Sequence, residues 1–142
     1  MKPHLFSVEE AEALLPDLSS RVTAIMHLHQ GIKRTTQEIT ELFDIWGERV
    51  YELSNPDNKF YNERLQERAN LLEELQHQIE AIRATGGVVK DLTIGLVDFY
   101  HEQDGELIFL CWKHGEDRIR YWHGIHEGYS TRKPLGAVAA QQ

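Results

Sequence analysis

The chain has 142 residues, 41% of them hydrophobic and 27% charged, which is enough apolar material for one modest core in one domain. Its net charge of −8 argues against a general affinity for nucleic acid or anionic membrane, because both need a basic surface to neutralise phosphate. The single cysteine, Cys111, rules out an intrachain disulfide and a thiolate-rich zinc site.

The first residues carry no apolar run of signal-peptide length before Glu9 and Glu10, and no stretch is long enough to span a membrane; the expected location is the cytoplasm. Ser7 and Glu10 form a capping box, so a short helix is expected to follow, with Pro16 opening or kinking the next one. An alternating 4–3 spacing then runs through Leu18, Val22, Ile25, His29, Ile32, Thr36, Ile39, Phe43, Trp46 and Val50, which is a heptad seam. Gly47 weakens this helix without having to end it. His29 and Thr36 interrupt the seam and are expected to set register or oligomeric state. Ser54-Asn55-Pro56-Asp57-Asn58 is a turn, and a second seam follows through Tyr61, Leu65, Arg68, Leu72, Leu75, Ile79 and Ile82 up to Gly86-Gly87. Helical segments over 8–53 and 57–84 therefore make an antiparallel, coiled-coil-like hairpin. The helices differ in reach by roughly 15 Å at about 1.5 Å per residue, leaving residues 16–26 free to pack on the C-terminal region. One amphipathic hairpin leaves apolar surface uncovered, so a homodimer through the hairpin is expected, with another protein as the alternative partner.

Beyond Gly87 the period changes to two. Asp104-Gly105 is a two-residue hairpin turn that pairs His101 with Ile108, Phe99 with Leu110 and Val97 with Trp112. A second turn at His114-Gly115 leads to Ile119–His123, completing a three-stranded antiparallel meander over 95–123, while 124–142 reads as loop and tail. The fold class is α+β. With no bulge in either turn, one face carries Val97, Phe99, Ile108, Leu110, Trp112, Ile119 and Tyr121, with His101 and His123 at its rim. The other carries Asp98, Tyr100, Leu107, Phe109, Cys111, Arg118, Arg120 and Trp122. That register separates Asp98 from His123.

Chemistry-bearing residues gather in this last third. His123, His126 and Glu116 offer imidazole and carboxylate donors suited to zinc, iron or manganese, although this spacing also fits a hydrogen-bonded His123 beside a solvated His126. Asp98 in an apolar strand needs a partner, and Arg118 or Arg120 is the structural candidate. Cys111 admits a Cys–His nucleophile, against which stands the more frequent role of a small buried hydrophobe. Trp112 and Trp122 either line a pocket or fill the core, and Arg132 offers a contact for an anion.

The motifs Phe6-Ser7-Val8-Glu9-Glu10-Ala11, Leu14-Leu15-Pro16, Lys90-Asp91, Gly95–Phe99, Asp104-Gly105, Leu110–Glu116, Trp122-His123, Gly128, Arg132 and Pro134-Leu135 together resemble the bacterial family catalogued as domain of unknown function 2203. Tyr100-His101 departs from it, since the family often has Pro-Ala there. The resemblance implies that Asp98, Trp112, Gly115, Glu116, Trp122, His123, Gly128 and Arg132 are signature positions, and it implies no activity. The leading expectation is a ligand- or metal-binding protein acting through Asp98, Trp112, Trp122 and Arg132 for a ligand and Glu116, His123 and His126 for a metal. A helical-hairpin interaction module is the alternative, and a metal-dependent hydrolase with Glu116 as base is a third reading.

Overall fold

The computed structural model describes residues 2–136. In chain order the elements are α1 (Val8–Ala13), α2 (Leu15–Trp46), a 3-10 turn (Gly47–Tyr51), α3 (Asn58–Thr85), β1 (Val88–Asp91), β2 (Leu96–Gln103), β3 (Glu106–Lys113), β4 (Tyr121–Gly124), a 3-10 turn (Tyr129–Thr131) and β5 (Lys133–Pro134). The α+β class stands. Two compact units form, one from Met1–Met26 with Gln78–Gln142, the other from His27–His77. No helix among the described residues is long and apolar enough to cross a membrane.

The His27–His77 unit holds the later part of α2, the 3-10 turn and the first part of α3. Gly31 lies close enough to Leu71 that an added Cβ would sit 3.2 Å from its Cδ1, and the Thr35 hydroxyl beside it donates to the Gly31 carbonyl at 2.9 Å. Ile39, Leu42, Val50 and Tyr61 form a core joined by Trp46 and Leu65. The expected seam is therefore off by one at two positions: Thr35 and Leu42 are buried, while Thr36 and Phe43 are exposed. The spacing runs 3–4 here instead of 4–3, as a near-straight helix of 3.6 residues per turn drifts against a strict heptad. Gly47 does end the α-helix. It takes φ +58°, and the chain closes through a 3-10 turn in which Asn58 Nδ2 donates to the Val50 carbonyl at 2.9 Å.

In the other unit α1 begins with the expected capping box, Glu10 N to Ser7 Oγ at 3.0 Å and Ser7 N to Glu10 Oε1 at 2.9 Å. The first turns of α2 pack on the C-terminal region, with Leu18, Val22 and Ile25 buried and Thr23 Oγ1 at 2.9 Å from His114 Nε2, but not through the expected overhang: α2 and α3 have 32 and 28 residues, a difference of about 6 Å, and Arg21 Nη1 donates to Gln78 Oε1 of α3 at 3.3 Å. Gly95 makes this approach feasible. At φ +75° a Cβ there would lie 2.8 Å from Val22 Cγ1 and 2.9 Å from Met26 Sδ.

The sheet has five strands in the order β1-β2-β3-β4-β5, all antiparallel, two more than expected. The Asp104-Gly105 hairpin and its β2–β3 register are as predicted. The β3–β4 register is not. The chain spends residues 114–120 on the connection, β4 starts at Tyr121, and the pairs are Phe109 with His123, Leu110 with Trp122 and Cys111 with Tyr121. A slip of one residue exchanges the faces of a strand. His123 and Tyr121 thus join Asp98 and Cys111, and Trp122 joins Leu110. Ile119 is still buried, held outside the strands by its N–H to Glu12 Oε2 at 3.0 Å.

Val97, Phe99, Leu110 and Trp112, at most 1% exposed, form the core face, with Phe6 edge-on to Phe99 at 5.0 Å. The opposite face is also covered at its centre, because residues expected to be an irregular loop fold back over it. Arg132 stacks on Tyr121 and Tyr129, and β5 pairs with β4. The tail expected from Gly136 onward lies, beyond Gly136, outside the described residues.

Candidate metal centre

Three adjacent strands each contribute one residue. Asp98 lies mid-way along β2, Cys111 opposite it on β3, and His123 on β4. They are 2%, 1% and 2% exposed. One ligand atom from each lies within 4.8 Å of the others. They open into a cavity of about 280 Å³ whose wall includes Lys90, Leu96, Glu127 and Tyr129.

The imidazole is held at both nitrogens. Nδ1 lies 2.8 Å from the Gly124 carbonyl, which can only accept, so Nδ1 carries a proton. Nε2 lies 2.9 Å from Asp98 Oδ2. In the neutral ring Nε2 is then a lone pair facing a carboxyl oxygen, and at 2.9 Å a proton shared by the pair lies between them. Backbone-carbonyl fixation of the far ring nitrogen is how metal-ligating histidines are usually oriented.

Asp98 Oδ1 is buried with no well-formed hydrogen bond, although the Cys111 thiol interacts with the carboxyl as a weak donor. Burial raises the Asp98 carboxyl above the usual aspartate range, opposed by the neighbouring His123 and Lys90. Burial likewise pushes the Cys111 thiol up, to about 12, with the Asp98 charge adding to the effect and the nearby Arg132 guanidinium opposing it. A thiol at that value is protonated at neutral pH, and the Cys–His nucleophile reading gains no support from it.

Other predicted residues are arranged differently. Glu116 is engaged on both oxygens: Oε1 accepts from Lys113 N at 2.7 Å and Arg132 Nη1 at 3.2 Å, and Oε2 from Arg132 Nη2 at 2.9 Å. Its carbonyl accepts from Trp112 Nε1 at 2.9 Å. Arg132 is further sandwiched by Tyr121 and Tyr129, its guanidinium carbon 3.9 and 4.5 Å from their ring centres. Glu116 and Arg132 thus find each other, while neither Glu116 nor the exposed His126 joins His123 in a ligand cluster among the described residues. Trp112 is core, and Trp122 lies beneath Lys133 Nζ at 4.6 Å on the face opposite His123. Asp98 is partnered by His123 and not by an arginine; Arg120 pairs with Asp117.

Comparison with known proteins adds one finding. A family model described as "Uncharacterized conserved protein (DUF2203)" matches residues 4–135. The chain belongs to this family. No curated protein and no solved structure matches it. The DUF2203 match spans the capping box, the hairpin and all three strands that carry Asp98, Cys111 and His123.

Sequence reasoning missed Cys111 as a ligand and took Lys90 only as part of the Lys90-Asp91 motif, with no place beside Asp98. The signal for Cys111 was present, since the β2–β3 register already set it beside Asp98. Lys90 carried none. It is the extra residue of a bulge, where Val89 pairs with Val97 but Asp91 with Leu96.

Proposed function

We propose that this DUF2203 protein is a small cytoplasmic protein that binds a borderline-soft divalent metal, zinc foremost, through Asp98 Oδ, Cys111 Sγ and His123 Nε2. The observation that carries the reading is the convergence of three buried donors of different chemistry, one with an under-bonded oxygen, on a histidine whose tautomer is already fixed. Thiolate, imidazole and carboxylate are all zinc ligands, and the thiolate disfavours manganese. With metal–ligand bonds of about 2.0–2.3 Å, donors in a tetrahedral site stand roughly 3.3–3.8 Å apart, so the cluster needs adjustments of about 1 Å or less. When bound, the metal supplies Lewis acidity. The protein's own part is to keep the imidazole oriented, to exclude water from the three donors and to leave the cavity beside Lys90 and Tyr129 for a further ligand. Glu116 does not support the hydrolase reading, because both its oxygens are occupied.

The test is cobalt substitution. Metal-free protein titrated with Co²⁺ develops a thiolate-to-cobalt charge-transfer band at one equivalent, and the Cys111→Ser variant lacks it. Absence of the band in the folded wild type refutes the reading.

A second reading, in which the hairpin mediates homodimerisation or binds a protein, draws support from exposed apolar side chains in the His27–His77 unit: Phe43 at 40%, Ile45 at 69%, Leu53 at 93% and Phe60 at 43%. A monomeric native mass at micromolar concentration counts against the dimer.

A further inference from the structure

Val88 pairs with Asp98, so strand alternation sets Lys90 on the Asp98 face, where its ammonium lies 4.6 Å from the centre of the Phe109 ring and no ion pair among the described residues takes it up. Lys90 lines two neighbouring depressions. One is the cavity of the proposed centre. The other is an open groove of about 630 Å³ formed by Lys2, Pro3, Tyr100, Leu107, Phe109 and Ile125 together with Lys90.

The groove has a marked chemical character. Its floor is aromatic, with Phe109 packed 4.5 Å from Tyr100 and 5.5 Å from the His123 ring. Leu107 and Ile125 extend the apolar wall, Ile125 at 40% exposure. Among the described residues its charged lining is Lys2 and Lys90, with no carboxylate, in a chain whose net charge is −8. Apolar walls with a few placed charges, at volumes of roughly 300–1,000 Å³, are the usual form of a small-molecule site. A purely apolar guest would leave the two ammoniums unmatched, and a cationic one would be repelled.

We infer that this groove binds a small apolar carboxylate, its anion held by Lys90 and its aromatic or aliphatic body lying along Tyr100, Leu107, Phe109 and Ile125. The groove shares Lys90 with the proposed metal centre but does not require the metal. Its recognition rests on the ammonium and the apolar wall.

Isothermal titration of the full chain with 4-phenylbutanoate, 4-phenylbutanol and 4-phenylbutylamine, each with and without one equivalent of zinc, tests this. The expected result is saturable one-to-one binding of the carboxylate, with a Kd on the order of 0.1 mM for a ligand of this size. The alcohol is expected about tenfold weaker, and the amine not to bind. Lys90→Met weakens the carboxylate about tenfold and leaves the alcohol unchanged, while Ile125→Asp weakens both; both positions are exposed enough for the fold to persist, which circular dichroism checks. Equal affinity for carboxylate and alcohol, no saturable binding, or an unchanged Kd in Lys90→Met overturns the inference. Carboxylate binding that is indifferent to zinc keeps it, and leaves the metal reading to the cobalt titration.

Discussion

Replacing Asp98 with asparagine separates a metal centre from a structural ion pair. Suppose first that the pair serves only the fold. Removing one partner of a buried ion pair then strands the other charge, at about 3–5 kcal/mol. The structure argues for a different outcome in metal-free protein. The Gly124 carbonyl already fixes the neutral tautomer of His123, with Nε2 as acceptor. The side-chain amide that Asp98→Asn introduces can donate to that nitrogen across the 2.9 Å now spanned by the carboxyl. The substitution also removes a carboxyl that burial holds above its ordinary range and whose Oδ1 lacks a well-formed hydrogen bond. We therefore expect Asp98→Asn to change the stability of metal-free protein by no more than about 1 kcal/mol, with stabilisation the more favoured sign.

The pH dependence follows. A carboxyl whose folded pKa exceeds its unfolded value binds its proton more tightly when folded, so it adds stability at low pH and loses it as pH rises through the folded value. The advantage of the Asp98→Asn variant should therefore grow as pH rises above the ordinary aspartate value of 3.8. Zinc inverts the ranking. At a hundredfold excess over Kd, zinc stabilises the wild type by about 2.7 kcal/mol, which at roughly 3–5 °C per kcal/mol for a chain of this length raises Tm by about 10 °C. Loss of one ligand, weakening zinc about a hundredfold, cuts the gain in Asp98→Asn to about 0.4 kcal/mol, or 1–2 °C. Thermal unfolding by circular dichroism, with chelator and with zinc, measures both. A metal-free variant destabilised by about 3 kcal/mol or more, together with no zinc shift in the wild type, would refute the reasoning.

Zinc binding should tighten as pH rises, because the Cys111 thiol, at about 12, must release its proton to bind metal; competition titrations at pH 6 and 7 should differ at least about tenfold in Kd. His126→Ala should leave zinc affinity within about twofold of wild type, since the residue is exposed and outside the donor cluster. Arg132→Leu should cost about 2–3 kcal/mol in urea unfolding, because it strips Glu116 of a two-pronged ion pair and removes the stack on Tyr121 and Tyr129. Gly95→Ala should cost about 2–4 kcal/mol, from a left-handed backbone and a Cβ within 2.9 Å of Val22, Met26 and His114.

The parts of this fold written in local signals were legible in the sequence. The Ser7–Glu10 cap, the Asp104-Gly105 turn and the β2–β3 register follow from two or three adjacent residues each. The hairpin followed from a spacing repeated over many turns, yet its buried positions slid by one at Thr35 and Leu42, because heptad counting accumulates error that a helix of 3.6 residues per turn does not share. The site was misread at one point, the length of the β3–β4 connection. His114-Gly115 reads as a tight turn, but Glu116 turns back to Lys113 N while Ile119 is held by Glu12 from α1, and both contacts lengthen the connection. Only tertiary structure supplies the second of these. With period-two alternation, that difference alone moved His123 from the face opposite Asp98 to within 2.9 Å of it.

The buried Asp98 and the half-buried Glu116 also explain why one set of signature residues reads as structural and the other as functional. Glu116 has partners on both carboxylate oxygens, and they belong to the segments it joins: Lys113 at the end of β3 and Arg132 beside β5. Its removal leaves donors stranded and a loop unpinned, which is a sufficient reason for it to be there. Asp98 is more deeply buried, yet it leaves one oxygen under-bonded and its carboxyl pKa is raised, so in the metal-free state it detracts from the stability of the fold. Folding alone would favour an asparagine or an apolar residue at that position. A second electropositive partner, bound between Asp98, Cys111 and His123, would satisfy the under-bonded oxygen and the raised thiol together. It is this unmet requirement, more than the mere clustering of donors, that separates the metal reading from a packing role.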